Sequence, residues 1–117
     1  MNFTSTYTIR DDGICIITPK GRLNAVNVPD MKKEVSELFE KKHIKDIIID
    51  MSQIDFIDSS GLSLMISFLK RARESEGFFR IAAISSDTVK IFKLTLLDRV
   101  FEMYATVDEA LTGGKAG

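Results

Sequence analysis

The run Asp46-Ile47-Ile48-Ile49-Asp50 constrains the fold more than any other stretch of this chain. Three consecutive β-branched apolar residues between carboxylates match the length of a strand, and they lack the alternation of a strand with one wet face. A strand buried on both faces needs a packing layer above and below, which a parallel sheet covered by helices supplies. The flanking sequence agrees. Val28, Met31, Val35, Leu38 and Phe39 make one helical face before the run, and Leu62, Met65, Ile66, Leu69 and Ala72 recur at helical spacing after it.

The other elements follow from local chemistry. Thr4 to Arg10 and Ile14 to Thr18 are β-rich runs joined by Asp11-Asp12-Gly13, the composition of a tight hairpin. Pro19 to Val26 is expected to be a connector containing Gly21. Asn27 is the expected cap of a first helix with Pro29 and Asp30 in its first turn, and Glu37 and Lys41 form an i,i+4 pair on it. A second helix is predicted from the Asp58-Ser59-Ser60-Gly61 corner to about Glu74, broken by Gly77. Phe78 to Ile84 is the next expected strand. Ser86 or Asp87 would cap a third helix with Val89, Phe92 and Leu96 on one face, and Val100 to Tyr104 would be the final strand. Thr106-Val107-Asp108-Glu109 fits a capping box for a last helical turn carrying Ala110 and Leu111. The order β-β-α-β-α-β-α-β-α predicts one α/β domain over residues 1–112, with an N-terminal hairpin, later parallel strands in a mixed sheet, and about four helices. Residues 113–117 are expected to form a flexible tail.

Composition narrows the function. At 117 residues and 44% hydrophobic content the chain can build one core and is too short for two ordinary domains. Sixteen basic and seventeen acidic residues leave a net charge of −1 with no basic block, which argues against direct nucleic-acid binding. No apolar run approaches the ~20 residues that span a bilayer. Asn2 to Arg10 lacks the pattern of a signal peptide, so a cytoplasmic protein with no membrane partner is expected.

Metal and cofactor chemistry find no support. One cysteine and one histidine cannot make a structural zinc site, and Asp50, Asp55 and Asp58 lack a calcium-loop pattern. Cys15 lies in an apolar run and is expected to be a small buried hydrophobe, while His43, in Lys41-Lys42-His43-Ile44-Lys45, is expected to be a solvated loop residue. Ser67-Phe68-Leu69-Lys70 has a Ser-x-x-Lys spacing without its companion motifs. Thr112-Gly113-Gly114-Lys115 lacks the strand, helix and glycine spacing of a phosphate loop.

The corner at Asp58-Ser59-Ser60-Gly61 admits two readings. Asp and Ser are preferred helix caps. A phosphate on either serine would equally sit at a helix N-terminus, where free N–H groups and the helix dipole accept negative charge. Gly61 costs up to ~1 kcal/mol relative to alanine in a helix, so backbone must come close there to a neighbouring element, a partner or a phosphate donor. A serine nucleophile would need a base, and the sequence offers none nearby. Leu64 and Phe68 lie to the side of the second helix's core stripe, where they either widen the core face or form a docking patch beside the serines.

Across Ile54-Asp55-Phe56-Ile57-Asp58-Ser59-Ser60-Gly61-Leu62 the sequence resembles the anti-sigma factor antagonists, bacterial regulators built on the STAS domain. The likeness extends to Gly21-Arg22-Leu23, the strand ending in Asp50, and Asp108-Glu109-Ala110-Leu111. It implies that Ser59 is phosphorylated by a partner that is both anti-sigma factor and serine kinase, with Asp58 as its acidic neighbour. The resemblance further implies that the unphosphorylated form binds that partner and frees a sigma factor, and that a serine phosphatase resets the switch. ATP belongs to the kinase, so the chain is expected to be a substrate and binding module and not an enzyme, a monomer when free, and without a cofactor of its own. Asn24, Asp58, Ser59, Ser60, Gly61 and Leu62 are the expected partner-binding residues. Asn24 stands where the family usually has Asp, and Leu96-Leu97 where many members have Gly-Leu. The rival expectations are a STAS-type sensor or scaffold that binds a small ligand or protein, and a small hydrolase using Asp58 and Ser59.

Overall fold

In the computed structural model, which describes residues 3–113, the chain reverses at Asp11-Asp12-Gly13 between antiparallel strands β1 (Thr4–Ile9) and β2 (Cys15–Leu23). The remaining elements are α1 (Val28–Glu40), β3 (Ile47–Asp50), β4 (Ile54–Ile57), α2 (Ser59–Glu74), β5 (Phe79–Ala82), α3 (Ser86–Leu94), a 3-10 turn (Leu97–Arg99), β6 (Glu102–Tyr104) and α4 (Val107–Thr112). The sheet has the order β1-β2-β3-β5-β6, with β4 also paired to β2. Every pairing except the hairpin is parallel. The mixed α/β sheet with four helices is the architecture predicted from the sequence.

The expected connector after Thr18 is instead the second half of β2. Cys15 to Ile17 pair with Ile47 to Ile49 of β3, and Gly21 to Leu23 pair with β4 across a bulge between Gly21 and Arg22. Pro19 sits where β2 passes from one partner to the other. The Cys15 and Gly21 N–H groups donate to Asp46 and Gln53 carbonyls at 3.0 Å, and strand alternation aims the Pro19 nitrogen at the same edge, opposite the turn between β3 and β4. The β2–β3 ladder accordingly ends at Ile17–Ile49, since proline has no N–H to continue it. β4 was not expected. Its Ile54 and Ile57 are buried and its Asp55 and Phe56 exposed, a pattern without the alternation that marks a strand.

Ile47 and Ile49 join the main core with Met31, Val35, Leu38 and Phe39 of α1, Met65, Phe68 and Leu69 of α2, and Phe92 of α3. Ile48 packs on the other face with Ala82 and Ala110 of α4. The β-branched run is therefore covered on both sides, as its composition requires. Phe68, Phe79, Phe101 and Phe92 form a chain of tilted and edge-on rings with centroids 5.7–6.1 Å apart, the arrangement their ring quadrupoles favour. Leu64 and Phe68 are buried, so they widen the core face and form no docking patch.

Several expected ends move. Asn27 is the N-cap of α1, as expected, but makes no side-chain bond to its first turn. The cap of α3 is Ser85, whose Oγ accepts from the Thr88 N–H at 3.2 Å. β5 and β6 are shorter than Phe78–Ile84 and Val100–Tyr104: Ala83 leaves the extended conformation at φ 58, and Val100 is the C-cap of the 3-10 turn. Thr106 caps α4 by accepting from the Glu109 N–H at 3.1 Å. Gly113, placed in the tail by sequence, is the left-handed C-cap of α4; residues 114–117 lie outside the described residues. α2 ends through Glu76 at positive φ. A Cβ on Gly77 would strike the Lys45 backbone, so this glycine permits close packing more than it breaks the helix. Among the described residues no helix is long and apolar enough to cross a membrane.

Leu96 does not share a face with Phe92. It adopts φ 61, is 58% exposed, and turns the chain from α3 into the 3-10 turn. A left-handed non-glycine residue costs roughly 1–2 kcal/mol, and glycine's greater unfolded-state freedom offsets part of the relief. Leu96→Gly is expected to raise stability by about 0.5–1 kcal/mol, measured as a higher urea midpoint at constant slope.

Candidate functional site

Asp58 leaves β4 in an extended conformation and caps α2. Its Oδ1 accepts from the Gly61 N–H at 3.0 Å, and its carbonyl accepts from the Leu62 N–H at 3.0 Å. The second carboxylate oxygen reaches outside the helix. Oδ2 accepts from the Ala25 N–H at 3.2 Å, 33 positions away in sequence. The Asp58 N–H in turn donates to the Leu23 carbonyl at 3.2 Å, extending the β2–β4 pairing up to the corner.

Ala25 begins a capped turn of its own. Asn24 Oδ1 accepts from the N–H groups of Val26 and Asn27 at 3.2 and 3.1 Å, while the Asn24 carbonyl accepts from Asn27 and Val28 at 3.1 and 2.9 Å. This is N-cap chemistry, three residues upstream of the expected cap. Asn27 instead donates Nδ2 to the Arg22 carbonyl at 2.8 Å. The turn leading into α1 and the first turn of α2 thus converge on one carboxylate.

The corner brings Asn24, Asp58, Ser59 and Ser60 together. Ser59 is exposed, and Ser60, Asp58 and Asn24 are half-buried. Gly61 and Leu62 are buried beneath them, supporting the surface from below. A Cβ on Gly61 would collide with the Leu23 carbonyl and with the Ile57 and Leu23 side chains. Close approach of α2 to the sheet therefore accounts for this glycine. The sequence reading missed Ala25, Val26 and the Arg22–Phe56 pair. Val26 is 81% exposed, and the Arg22 guanidinium lies 5.2 Å above the Phe56 ring. An apolar residue in a polar connector was the one available signal for Val26.

Nothing in the geometry activates Ser59 as a nucleophile. His43 is exposed and precedes β3, whereas Ser59 follows β4. Both strands run parallel to β2, so the two residues lie at opposite ends of the sheet. Cys15 is fully buried, and its thiol is pushed up to about 11, by burial first and then by the Glu34 carboxylate. Among the described residues no cluster of His, Cys, Asp and Glu could hold a metal ion.

The family model described as the STAS domain matches residues 7–110. A Thermotoga maritima protein provisionally named an anti-sigma factor antagonist is 33% identical over 90% of this chain and 92% of its own length. The crystal structure of a T. maritima protein with the same provisional name is 32% identical and superimposes with a TM-score of 0.86, covering 92% of this chain and 91% of that one. The anti-sigma-F factor antagonist RsfB of Mycobacterium tuberculosis is 25% identical over 96% of this chain and 91% of its own. In fold alone, the Bacillus cell-fate determinant SpoIIAA in its phosphorylated form is similar, with a TM-score of 0.74 at 20% identity, over 96% of this chain and all of that one. The chain belongs to the STAS domain family, among its anti-sigma factor antagonists.

Two measurements test the site's energetics. Asp58→Ala removes the α2 cap and the Ala25 partner together and is expected to cost about 1–2 kcal/mol in urea unfolding. The Cys15 thiol has a folded pKa above its ordinary value of 9.0, so the folded state holds its proton more tightly. Its contribution to stability is complete below pH 9.0 and is lost as pH rises through about 11. A urea midpoint followed across that window should fall for wild type and less steeply for Cys15→Ala.

Proposed function

We propose that this protein is an antagonist that binds an anti-sigma factor with serine kinase activity, frees a sigma factor by doing so, and is switched off by phosphorylation of Ser59. The observation that carries this reading is the position of Ser59. It is an exposed hydroxyl in the first turn of a helix whose capping carboxylate is already engaged by two backbone N–H groups. Asn24, Asp58 and Ser60 surround the acceptor, and Gly61 and Leu62 hold the surface in shape.

The physics favours a switch without unfolding. A phosphate adds about −1.5 to −2 charge, taking the net charge from −1 to about −3. The N-terminus of α2 tolerates that charge. An interface fitted to a neutral hydroxyl loses complementarity through repulsion and desolvation. The chain supplies the substrate hydroxyl and no catalytic group; ATP and the transfer chemistry belong to the kinase, and a serine phosphatase restores the hydroxyl. On this reading the protein works in the cytoplasm and is a monomer when free.

One observation favours a second reading, a STAS-type sensor or scaffold. An open cleft of about 370 Å³ beyond β5 and β6 is lined by Ile84, Val89, Phe101 and Met103, with Lys93 and Asp98 among its lining residues. Its size suits a small ligand.

Incubation with ATP and each anti-sigma kinase encoded in the same genome should add one phosphate to wild type and none to Ser59→Ala, read by intact mass. Ser59→Asp should lose kinase binding by calorimetry while its thermal midpoint stays unchanged. Phosphorylation that persists in Ser59→Ala moves the acceptor, with Ser60 next in line. Wild type that neither binds nor is phosphorylated favours the sensor or scaffold.

A further inference from the structure

Resting on the reading of Ser59 as acceptor, we propose that Asp58 is a positioning residue. Its second carboxylate oxygen holds the Asn24–Asn27 turn beside Ser59, and that turn presents Val26 as an apolar contact for the same anti-sigma kinase.

Three features of the site lead there. Both Asp58 oxygens are taken by backbone N–H groups, those of Gly61 and Ala25. The carboxylate therefore ties the Ala25 backbone to the start of α2. What it holds is Val26, 81% exposed, in a turn where local chemistry favours something else. The first turn of a helical start prefers acidic or small polar side chains, which complement its positive end. A β-branched residue with one stiff rotamer gives nothing to that cap. Finally, the turn is rigid: Asn24 accepts from Val26, Asn27 and Val28, and Asp58 accepts from Ala25. An apolar side chain presented on a pre-ordered backbone loses little entropy on binding, which is how a small exposed residue comes to contribute to an interface.

The occupant follows from the same bond. The carboxylate that fixes the turn also caps the helix carrying Ser59, so a protein that engages the Ser59 hydroxyl at its active site covers the Val26 turn as well. The phosphorylating partner is thus a better match than an unrelated protein or a second copy of this chain.

The test is a double-mutant cycle with the purified anti-sigma kinase that phosphorylates wild type. Asp58→Asn keeps one acceptor oxygen for the Gly61 N–H and turns an amide donor toward Ala25. It should speed exchange of the Ala25 amide proton and weaken kinase binding about tenfold. Val26→Ser should weaken binding by a similar factor with an unchanged thermal midpoint, raise KM for phosphorylation and leave kcat alone, and Val26→Ile should restore affinity. Combined with Asp58→Asn, Val26→Ser should add little, because the turn has already lost its tie to the start of α2. Wild-type affinity in Val26→Ser, or effects that simply multiply, overturns the proposal while leaving Ser59 as acceptor. A wild-type protein that no such kinase binds or phosphorylates overturns the functional reading itself.

Discussion

The structure depends on β2 serving several partners in succession. Its nine residues pair with β1 along one edge, and with β3 and then β4 along the other. The hairpin, the parallel sheet and the strand that delivers Asp58 are all registered against this one segment. Pro19 and the bulge after Gly21 mark the change of partner. Without an N–H, position 19 cannot extend the ladder to β3, so that pairing stops at Ile17–Ile49 before β4 takes over at Gly21. The residues that look like strand breakers in the sequence are thus what lets β2 serve both neighbours.

From that frame the corner inherits its electrostatics. The turn after β2 and the helix after β4 begin side by side because their strands are paired, and Asp58 accepts a backbone N–H from each. Asn24 can be understood in the same terms. Capping requires an acceptor oxygen, which asparagine provides as well as aspartate. Asparagine at this position therefore keeps the backbone geometry and removes one negative charge from beside Asp58. The difference from the usual family residue is one of local potential and not of local shape.

Periodicity and cap chemistry revealed much of this fold before any coordinates. The triple-isoleucine strand, the α2 stripe and the Asp58 cap were legible because each depends on neighbours within a turn or two in sequence. β4 escaped because its buried-exposed-exposed-buried pattern is set by an edge pairing with β2, a tertiary fact. Asn27 was placed correctly at the N-cap of α1, but the side-chain capping upstream by Asn24 was not foreseen, because Pro19 and Gly21 made that segment look irregular. Leu96 was placed on the α3 face because nothing local announces a leucine at positive φ. At the site, Asp58 and the serines were evident from sequence, whereas the Ala25 N–H was not, since its only link to them runs through space.

That link changes what kind of object the site is. Groups 33 positions apart form one surface only after the β2–β4 ladder has closed. It is a surface discontinuous in sequence. A nascent chain still short of α2, a proteolytic fragment or an unfolded copy carries the Asp-Ser-Ser-Gly tetrapeptide without the turn beside it. On the proposed function, a partner that reads this surface engages folded copies alone, so the amount of active protein is the folded share of what is synthesised.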